Sequence, residues 1–310
     1  MKKQKLLVEN SGGESSAYMT LMLKKHYSTQ YEIVVVFANT GEENEETLEF
    51  IRLCDKYLDF NTIWVEAVFN GKGKGTSHKV VNFNSAVRGA DIFENMCAKY
   101  GIPNMMYKHC TRELKLNPIH HYIKSLGWSV GDYKTAIGIR ADEPKRHKKE
   151  INPTKEIFQD IALKEKKECW QKVIHPMATM FPVSKLDISD FWESQEFRLQ
   201  LDEHQGNCKW CYKKSLKKHY KLYTENPKQF DTPMLLEDKY GLVGKNRVKN
   251  ILIDEPRKIF RGFTSTKSLI AMFKTQESSN TSYIESKNFD RCANEECSSS
   301  DGEQYTLFDN

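Results

Sequence analysis

No stretch of this 310-residue sequence approaches the roughly 20 consecutive apolar residues that cross a bilayer, so no membrane span is expected. The basic start Met1-Lys2-Lys3-Gln4-Lys5 runs only into Leu6-Leu7-Val8, too short for the apolar centre of a signal peptide. A cytoplasmic protein is therefore expected. Internal repeats are missing, which sets solenoids and propellers aside. A large excess of one charge is missing as well. The net charge of +5 permits contact with nucleic acid or another polyanion without demanding it. Basic residues nevertheless gather at Lys145-Arg146-His147-Lys148-Lys149 and at Lys213, Lys214, Lys217 and Lys218. A disordered chain is excluded, because 39% hydrophobic and 11% aromatic residues suffice for a core. Cysteine is not scarce. Eight cysteines in a reducing compartment point to metal binding or catalysis before disulfides.

The segment Lys5 to Ser16 carries the first functional signal. An apolar run ends at Asn10, the chain turns through Ser11-Gly12-Gly13, and a helical pattern opens at Ser15, the candidate N-cap. A strand, a Gly/Ser turn and a helix N-terminus in that order make an anion site. The first helical N–H groups lack intrahelical partners and the helix dipole favours negative charge there. Glycines let a phosphate approach the backbone closely, and the hydroxyls of Ser11, Ser15 and Ser16 add donors.

Further along, Glu32 to Ala38 is a continuous β-branched run, the habit of a parallel strand buried on both faces. It ends in Asn39-Thr40-Gly41, before an acidic amphipathic helix that starts near Glu43. Thr62–Val68 and Lys134–Ile139 read as strands, and Asp91–Tyr100 and Glu113–Leu126 as helices. Asn70–Ser77 is glycine-rich and reads as a loop. The alternation predicts an α/β fold with an open, mostly parallel sheet and helices on both faces. Ligands on such sheets sit beyond the carboxyl ends of the strands, where Asn10–Ser16, Asn39–Gly41 and Gly138–Arg140 all fall. The expected organisation is a nucleotide-binding α/β domain over 1–184, a helical region over 185–277 with Asp187 as N-cap candidate, and a polar tail over 278–310.

Two thiols spaced as Cys208-x-x-Cys211 can chelate one metal, and Lys209, Lys213 and Lys214 would lower their pKa values. Cys292 and Cys297 offer a second pair. Cys54, Cys97 and Cys169 read as core residues, and His109, His120 and His121 are not assigned as ligands.

These segments together resemble the phosphoadenylylsulfate (PAPS) reductase family and, more broadly, the adenine nucleotide alpha hydrolase fold with its pyrophosphatase loop. Ser11-Gly-Gly-Glu-Ser-Ser16 is similar to SGGxDS, and Phe37-Ala-Asn-Thr-Gly41 with Glu46-Thr47-Leu48 is similar to DTG…ETL. Cys110-Thr-Arg-Glu-Leu-Lys115-Leu-Asn-Pro118 resembles CCxxxKxxP, and Gly138-Ile-Arg140-Ala-Asp-Glu143-Pro-Lys-Arg146 resembles GxRxxExxR. Phe181 to Trp192 is similar to NPLxxWxxxDVW, and Cys208-x-x-Cys211 falls where iron–sulfur members carry CxxC. The matches keep chain order over about residues 5 to 215. Ser15 and Asn39 stand where the patterns have aspartates, and Thr111 replaces the second cysteine of the CysCys pair. DNA phosphorothioation sulfurtransferases and tRNA thiolases look like the same broad group.

The resemblance implies that Ser11, Gly12, Gly13, Ser15, Ser16, Asn39, Thr40, Gly41 and Gly138 bind ATP or an adenylyl sulfate such as PAPS. It implies that Lys115, Arg140 and Arg146 neutralise phosphate or sulfate, and that Mg²⁺ attends ATP cleavage. Arg140 has a second reading as an ion-pair partner of Asp142 or Glu143. Cys110, Cys208 and Cys211 would hold a [4Fe–4S] cluster with one open iron. With Cys292 and Cys297, the CxxC pair would instead close a Zn²⁺ site or a complete cluster. The favoured activity is ATP-dependent sulfur transfer to an adenylated acceptor, with a nucleic-acid acceptor and a sulfur-donor protein as partners. Reduction of a sulfonucleotide, with Cys297 as nucleophile, is the alternative. A regulatory module that binds nucleotide without catalysis is a third reading, supported by the absent aspartates.

Overall fold

The computed structural model describes residues 2–71, 73–151, 172–244, 247–248, 251–252 and 254–279. Cys169, Cys292, Cys297 and residues 280–310 lie outside them, and the first two residues of the expected tail, Ser278 and Ser279, end a helix.

Six strands form one sheet: β1 (Gln4–Glu9), β2 (Tyr31–Asn39), β3 (Ile63–Phe69), β4 (Thr76–Val81), β5 (Tyr133–Ala136) and β6 (Val173–Ile174). Their spatial order is β4-β3-β2-β1-β5-β6. Every pair is parallel except β3 with β4. This is the α/β architecture that the alternating pattern predicts. The side-chain period of two explains why the middles of β1 and β2, Leu6–Val8 and Ile33–Ala38, are apolar without alternation. Leu6 and Val8 join one core with Ala17, Met19 and Leu23 of the helix α1 (Glu14–Tyr27). Leu7, Val36 and Ala38 point the other way, into a core with Ile119 and Ile123 of a helix over Asn117–Ser125. With helices on both faces, β1 from Leu6 to Glu9 and β2 from Val35 to Asn39 are buried, and only their starts reach water.

Several local expectations shift. The glycine-rich Asn70–Ser77 is not loop throughout, since β4 starts at Thr76 and pairs Thr76 with Phe69. Ser15 is not the N-cap of α1: Gly13 is, in an extended conformation, and the helix begins at Glu14. The helix α2 (Glu45–Leu58) starts behind Asn44, two residues after Glu43. The fifth strand ends at Ala136, three residues early. Asp187 is not an N-cap either. Ser184 caps the helix Lys185–Glu193, and the Asp187 carboxylate accepts in return from the Ser184 N–H, the two halves of a capping box.

That helix lies against α1. Phe191 meets Tyr18 edge-on at 5.0 Å, and the Trp192 indole N–H donates to the Glu14 carbonyl at 3.0 Å. A third core joins Ile92, Phe93, Met96 and Cys97 of the helix Asp91–Tyr100 to the CxxC segment and to helices over Leu216–Glu225, Asp231–Tyr240 and Thr266–Ser279. Cys54 and Cys97 are fully buried, as their helical patterns predict, and burial pushes both thiols up.

Candidate functional site

The phosphate-type loop is tied together by one side chain. Asn10, at the end of β1, accepts from the Gly12 N–H (3.0 Å) and from the Ser16 hydroxyl (3.0 Å). The Ser16 oxygen accepts in turn from the Ser11 N–H at 3.2 Å and stands 3.1 Å from the Ser11 hydroxyl. The two glycines have different reasons. Gly12 sits at φ +80°, and a Cβ there would come within 2.5 Å of Thr47 Cγ2 on α2, so the fold itself requires glycine. Gly13 has ordinary extended angles, and a Cβ would meet nothing nearer than Ser11 Oγ at 3.8 Å. Its missing side chain serves open space.

That space is a cavity of about 320 Å³ at the carboxyl ends of β1 and β5. Ser11, Gly12, Gly13, Ser15, Ser16 and Gly138 line it together with Lys115, Arg140, Arg146 and Cys211. Asn39, Thr40 and Gly41 are not among its lining residues. They build the adjacent turn: Asn39 Nδ2 donates to Glu66 Oε1 (2.6 Å) and to the Val87 carbonyl (2.9 Å). An aspartate at 39 would lose both donations and set a second carboxylate against buried Glu66, so the departure from the aspartate pattern has a structural cause. Gly41, at φ +84°, abuts the Gly89 carbonyl, 2.4 Å from where a Cβ would be.

Arg140 combines both readings of it. Its Nε donates to Asp142 Oδ1 at 2.9 Å, its Nη1 reaches Ser15 Oγ at 3.4 Å, and its Nη2 lies 3.8 Å from Glu143. Glu143 also holds Arg146. The ion pairs therefore aim two guanidiniums at one cavity, where bidentate oxyanion contacts suit their planar forks. Asp142 opposes burial with hydrogen bonds from the Lys185 N–H and Arg140, which hold it below the usual carboxylate range.

Cations missed as site residues complete the wall: Lys185, Arg198, Lys213, Lys214 and Lys218. The eight Lys and Arg side chains outnumber the five carboxylates, Glu9, Glu14, Glu43, Asp202 and Glu203. Lys214 is not on the solvated face its charge run suggests. Its ammonium is buried and donates to the His204 (2.7 Å) and Gly206 carbonyls, which fixes the turn before Cys208. Nothing in a run of lysines distinguishes the one that folds inward.

Cys208 and Cys211 are buried and Cys110 half-buried, all against the third core. Cys110 Sγ lies 3.6 Å from the Tyr212 hydroxyl, and Cys208 Sγ lies 3.5 Å from Thr40 Oγ1. A π-helical turn over Cys110–Leu116 leads into Asn117–Ser125, its five-residue bond running from the Asn117 N–H to the Arg112 carbonyl. It carries Cys110 against the thiol core and Lys115 on the cavity wall. Among the described residues, the one set of three His, Cys, Asp or Glu side chains with ligand atoms mutually within 4.8 Å is Asp202, His204 and Glu225. Lys221, 3.1 Å from Asp202 and 3.7 Å from Glu225, already supplies a cation there. Cys110, Cys208 and Cys211 do not form such a set.

Glu42 and Glu43 also escaped assignment. Glu42 accepts from the Trp210 indole N–H at 2.7 Å, and burial pushes its carboxyl up to about 7. Glu43 accepts from the Thr40 N–H (2.9 Å) and hydroxyl (2.7 Å) and lines the cavity. The spacing Thr40-x-x-Glu43 is that of a capping box, a signal by which its inward turn was readable.

A strand-end anion loop, a cationic cavity and a parallel sheet covered on both faces define a nucleotide-binding α/β protein. The phosphoadenosine phosphosulfate reductase domain matches residues 5–198, and the chain belongs to that family, whose members bind nucleotide substrates. It is 32% identical over 216 residues to the uncharacterised nin region protein ORF290 of Escherichia phage lambda, covering 68% of this chain and 67% of that one. An uncharacterised protein of Methanocaldococcus jannaschii is 28% identical over 114 residues, which is 37% of this chain and 21% of that protein. The chain thus spans about a fifth of the archaeal relative. Among the described residues no helix is long and apolar enough to cross a membrane.

Proposed function

We propose that this chain is an ATP-dependent adenylating sulfurtransferase. One observation carries the reading: Cys211 lies on the wall of the same cavity that Ser11–Ser16, Lys115, Arg140 and Arg146 line. Backbone N–H groups of the loop and the two arginines would hold the phosphates, leaving the acceptor between the nucleotide and the thiols. Attack of the acceptor oxygen on the α-phosphorus releases pyrophosphate. Attack of sulfide on the adenylated carbon then forms the C–S bond and expels AMP as the C–O bond breaks. Arg140 and Arg146 stabilise the charge that develops on the phosphates. Cys110, Cys208 and Cys211 are the residues that would hold an iron–sulfur cluster, which when bound supplies a place for sulfide beside the nucleotide. The cationic rim favours an anionic acceptor such as a nucleic acid.

The test is anaerobic incubation of the full chain with ATP, ³⁵S-sulfide and the nucleic-acid and small-molecule fractions of a cell extract. ATP-dependent labelling of one fraction, with pyrophosphate and AMP released in step and labelling lost in Cys211→Ser, is the expected result. Sulfite released from PAPS with a thiol reductant, ATP remaining intact, would replace the reading with sulfonucleotide reduction. Tight nucleotide binding without turnover of either substrate would leave a regulatory module.

A further inference from the structure

We infer that Glu43 is the protein ligand of a divalent cation, Mg²⁺ by its chemistry, carried into the cavity on the nucleotide's phosphates. The inference rests on the nucleotide-binding reading. Three of the other four carboxylates of the cavity wall are neutralised by lysine or arginine partners within the protein, and Glu9 stands at the end of β1. Glu14 faces Arg198 at 3.1 Å, Asp202 faces Lys221 at 3.1 Å, and Glu203 lies between Lys185 (3.0 Å) and Lys218 (3.1 Å). Glu43 differs. It is 6% exposed, and its partners are the Thr40 N–H, the Thr40 hydroxyl and the Cys208 thiol, at 4.0 Å, all of them neutral. Among the described residues no basic side chain forms an ion pair with it.

A buried carboxylate with only neutral donors is expensive unless a cation joins it. The Thr40 hydroxyl and the Cys208 thiol both meet Oε1, and the Thr40 N–H meets Oε2. A carboxylate accepts about four, so Oε2 keeps a free position for the cation. One carboxylate plus substrate phosphates is the usual composition of a Mg²⁺ site. The phosphate loop lies across the same cavity, and Thr47, on the helix that follows Glu43, touches Gly12. Glu43 thereby restores a carboxylate where Ser15 and Asn39 have removed two. The turn that holds it reaches Cys208 through Thr40, so a cation on Glu43 would sit between the nucleotide and the thiols.

The experiment measures ATP affinity of the full chain in Mg²⁺ and in EDTA, with electron paramagnetic resonance of Mn²⁺ in the presence of ATP. In the wild type, metal tightens ATP about tenfold and one Mn²⁺ is immobilised per chain. Glu43→Gln keeps the EDTA affinity and loses the tightening and the Mn²⁺ signal, and Glu43→Asp recovers part of both. Glu43→Gln with undiminished metal dependence overturns the assignment while nucleotide binding stands. Glu43→Gln that loses ATP in EDTA too makes the residue a brace for the Thr40 turn, and also overturns it. A wild type that binds ATP under neither condition overturns the nucleotide reading itself.

Discussion

Two adjacent glycines separate folding from binding at the level of single residues. Gly12→Ala places a side chain at φ +80° and against Thr47, so it should destabilise the protein by about 1–3 kcal/mol, read as a lower denaturant midpoint. Gly13→Ala should leave the midpoint within about 0.5 kcal/mol and weaken nucleotide binding, because its Cβ enters the space a phosphate approaches. Equal effects on stability would refute that division. Glu42 makes a pH prediction. Its folded value of about 7 lies above the ordinary 4.5, so the folded state holds a proton that the unfolded chain releases. The stability it contributes is full below 4.5 and is lost as pH rises through 7. Glu42→Gln, neutral at every pH and still able to accept from Trp210, should flatten unfolding free energy between pH 5 and 8 relative to wild type. A wild-type slope that survives the substitution would place its source elsewhere. Much of the site could be read in residue types. Ser11–Ser16, Lys115, Arg140, Arg146, Gly138 and Cys211 do share one cavity. Asn39–Gly41 could not be separated from them, because whether a polar residue faces a cavity or a neighbouring loop depends on partners such as Glu66 and Gly89, which are distant in the chain.

Elements were legible wherever periodicity was long. β1, β2, β3 and the helix Asp91–Tyr100 fall where their apolar patterns put them. Ends were less so, because caps are decided by which side chain reaches which N–H. Ser184 and Asp187 have the spacing of a capping box, and either could serve as cap until the chain's entry angle is known. Ser184→Ala should cost about 1 kcal/mol, measured by denaturant unfolding. The cost should also reach the phosphate loop, since this helix carries Trp192 onto the Glu14 carbonyl in the first turn of α1. The edge strand β4 was hidden by composition. Its polar start at Thr76-Ser77-His78-Lys79 follows a run of glycine and lysine, and its register against β3 supplies the ladder partners. The π-helical turn was equally unreadable, as one residue more or fewer per turn leaves no trace in apolar spacing.

For the whole molecule, nucleotide binding and folding are linked. A ligand held only by the folded state, supplied at about 100 times its Kd, adds about 2.7 kcal/mol of stability. Saturating ATP should therefore raise the thermal midpoint, and Arg140→Gln should reduce that gain. An unchanged midpoint in ATP would count against the cavity as the nucleotide site. The sequence by itself determined that this chain is an α/β protein with a Gly/Ser turn between a strand end and a helix, because side-chain periodicity and turn chemistry are local properties. Membership of the PAPS reductase family follows the same local order of motifs. Only the tertiary structure decided that Cys211 shares the phosphate cavity, that Lys214 is spent on two carbonyls, and that Glu43 faces inward among neutral partners. The cavity wall and the Glu43 turn depend on packing between segments more than 160 residues apart, and Lys214 on how a short turn folds back. The cost of burying a charge is settled by whatever the fold brings beside it.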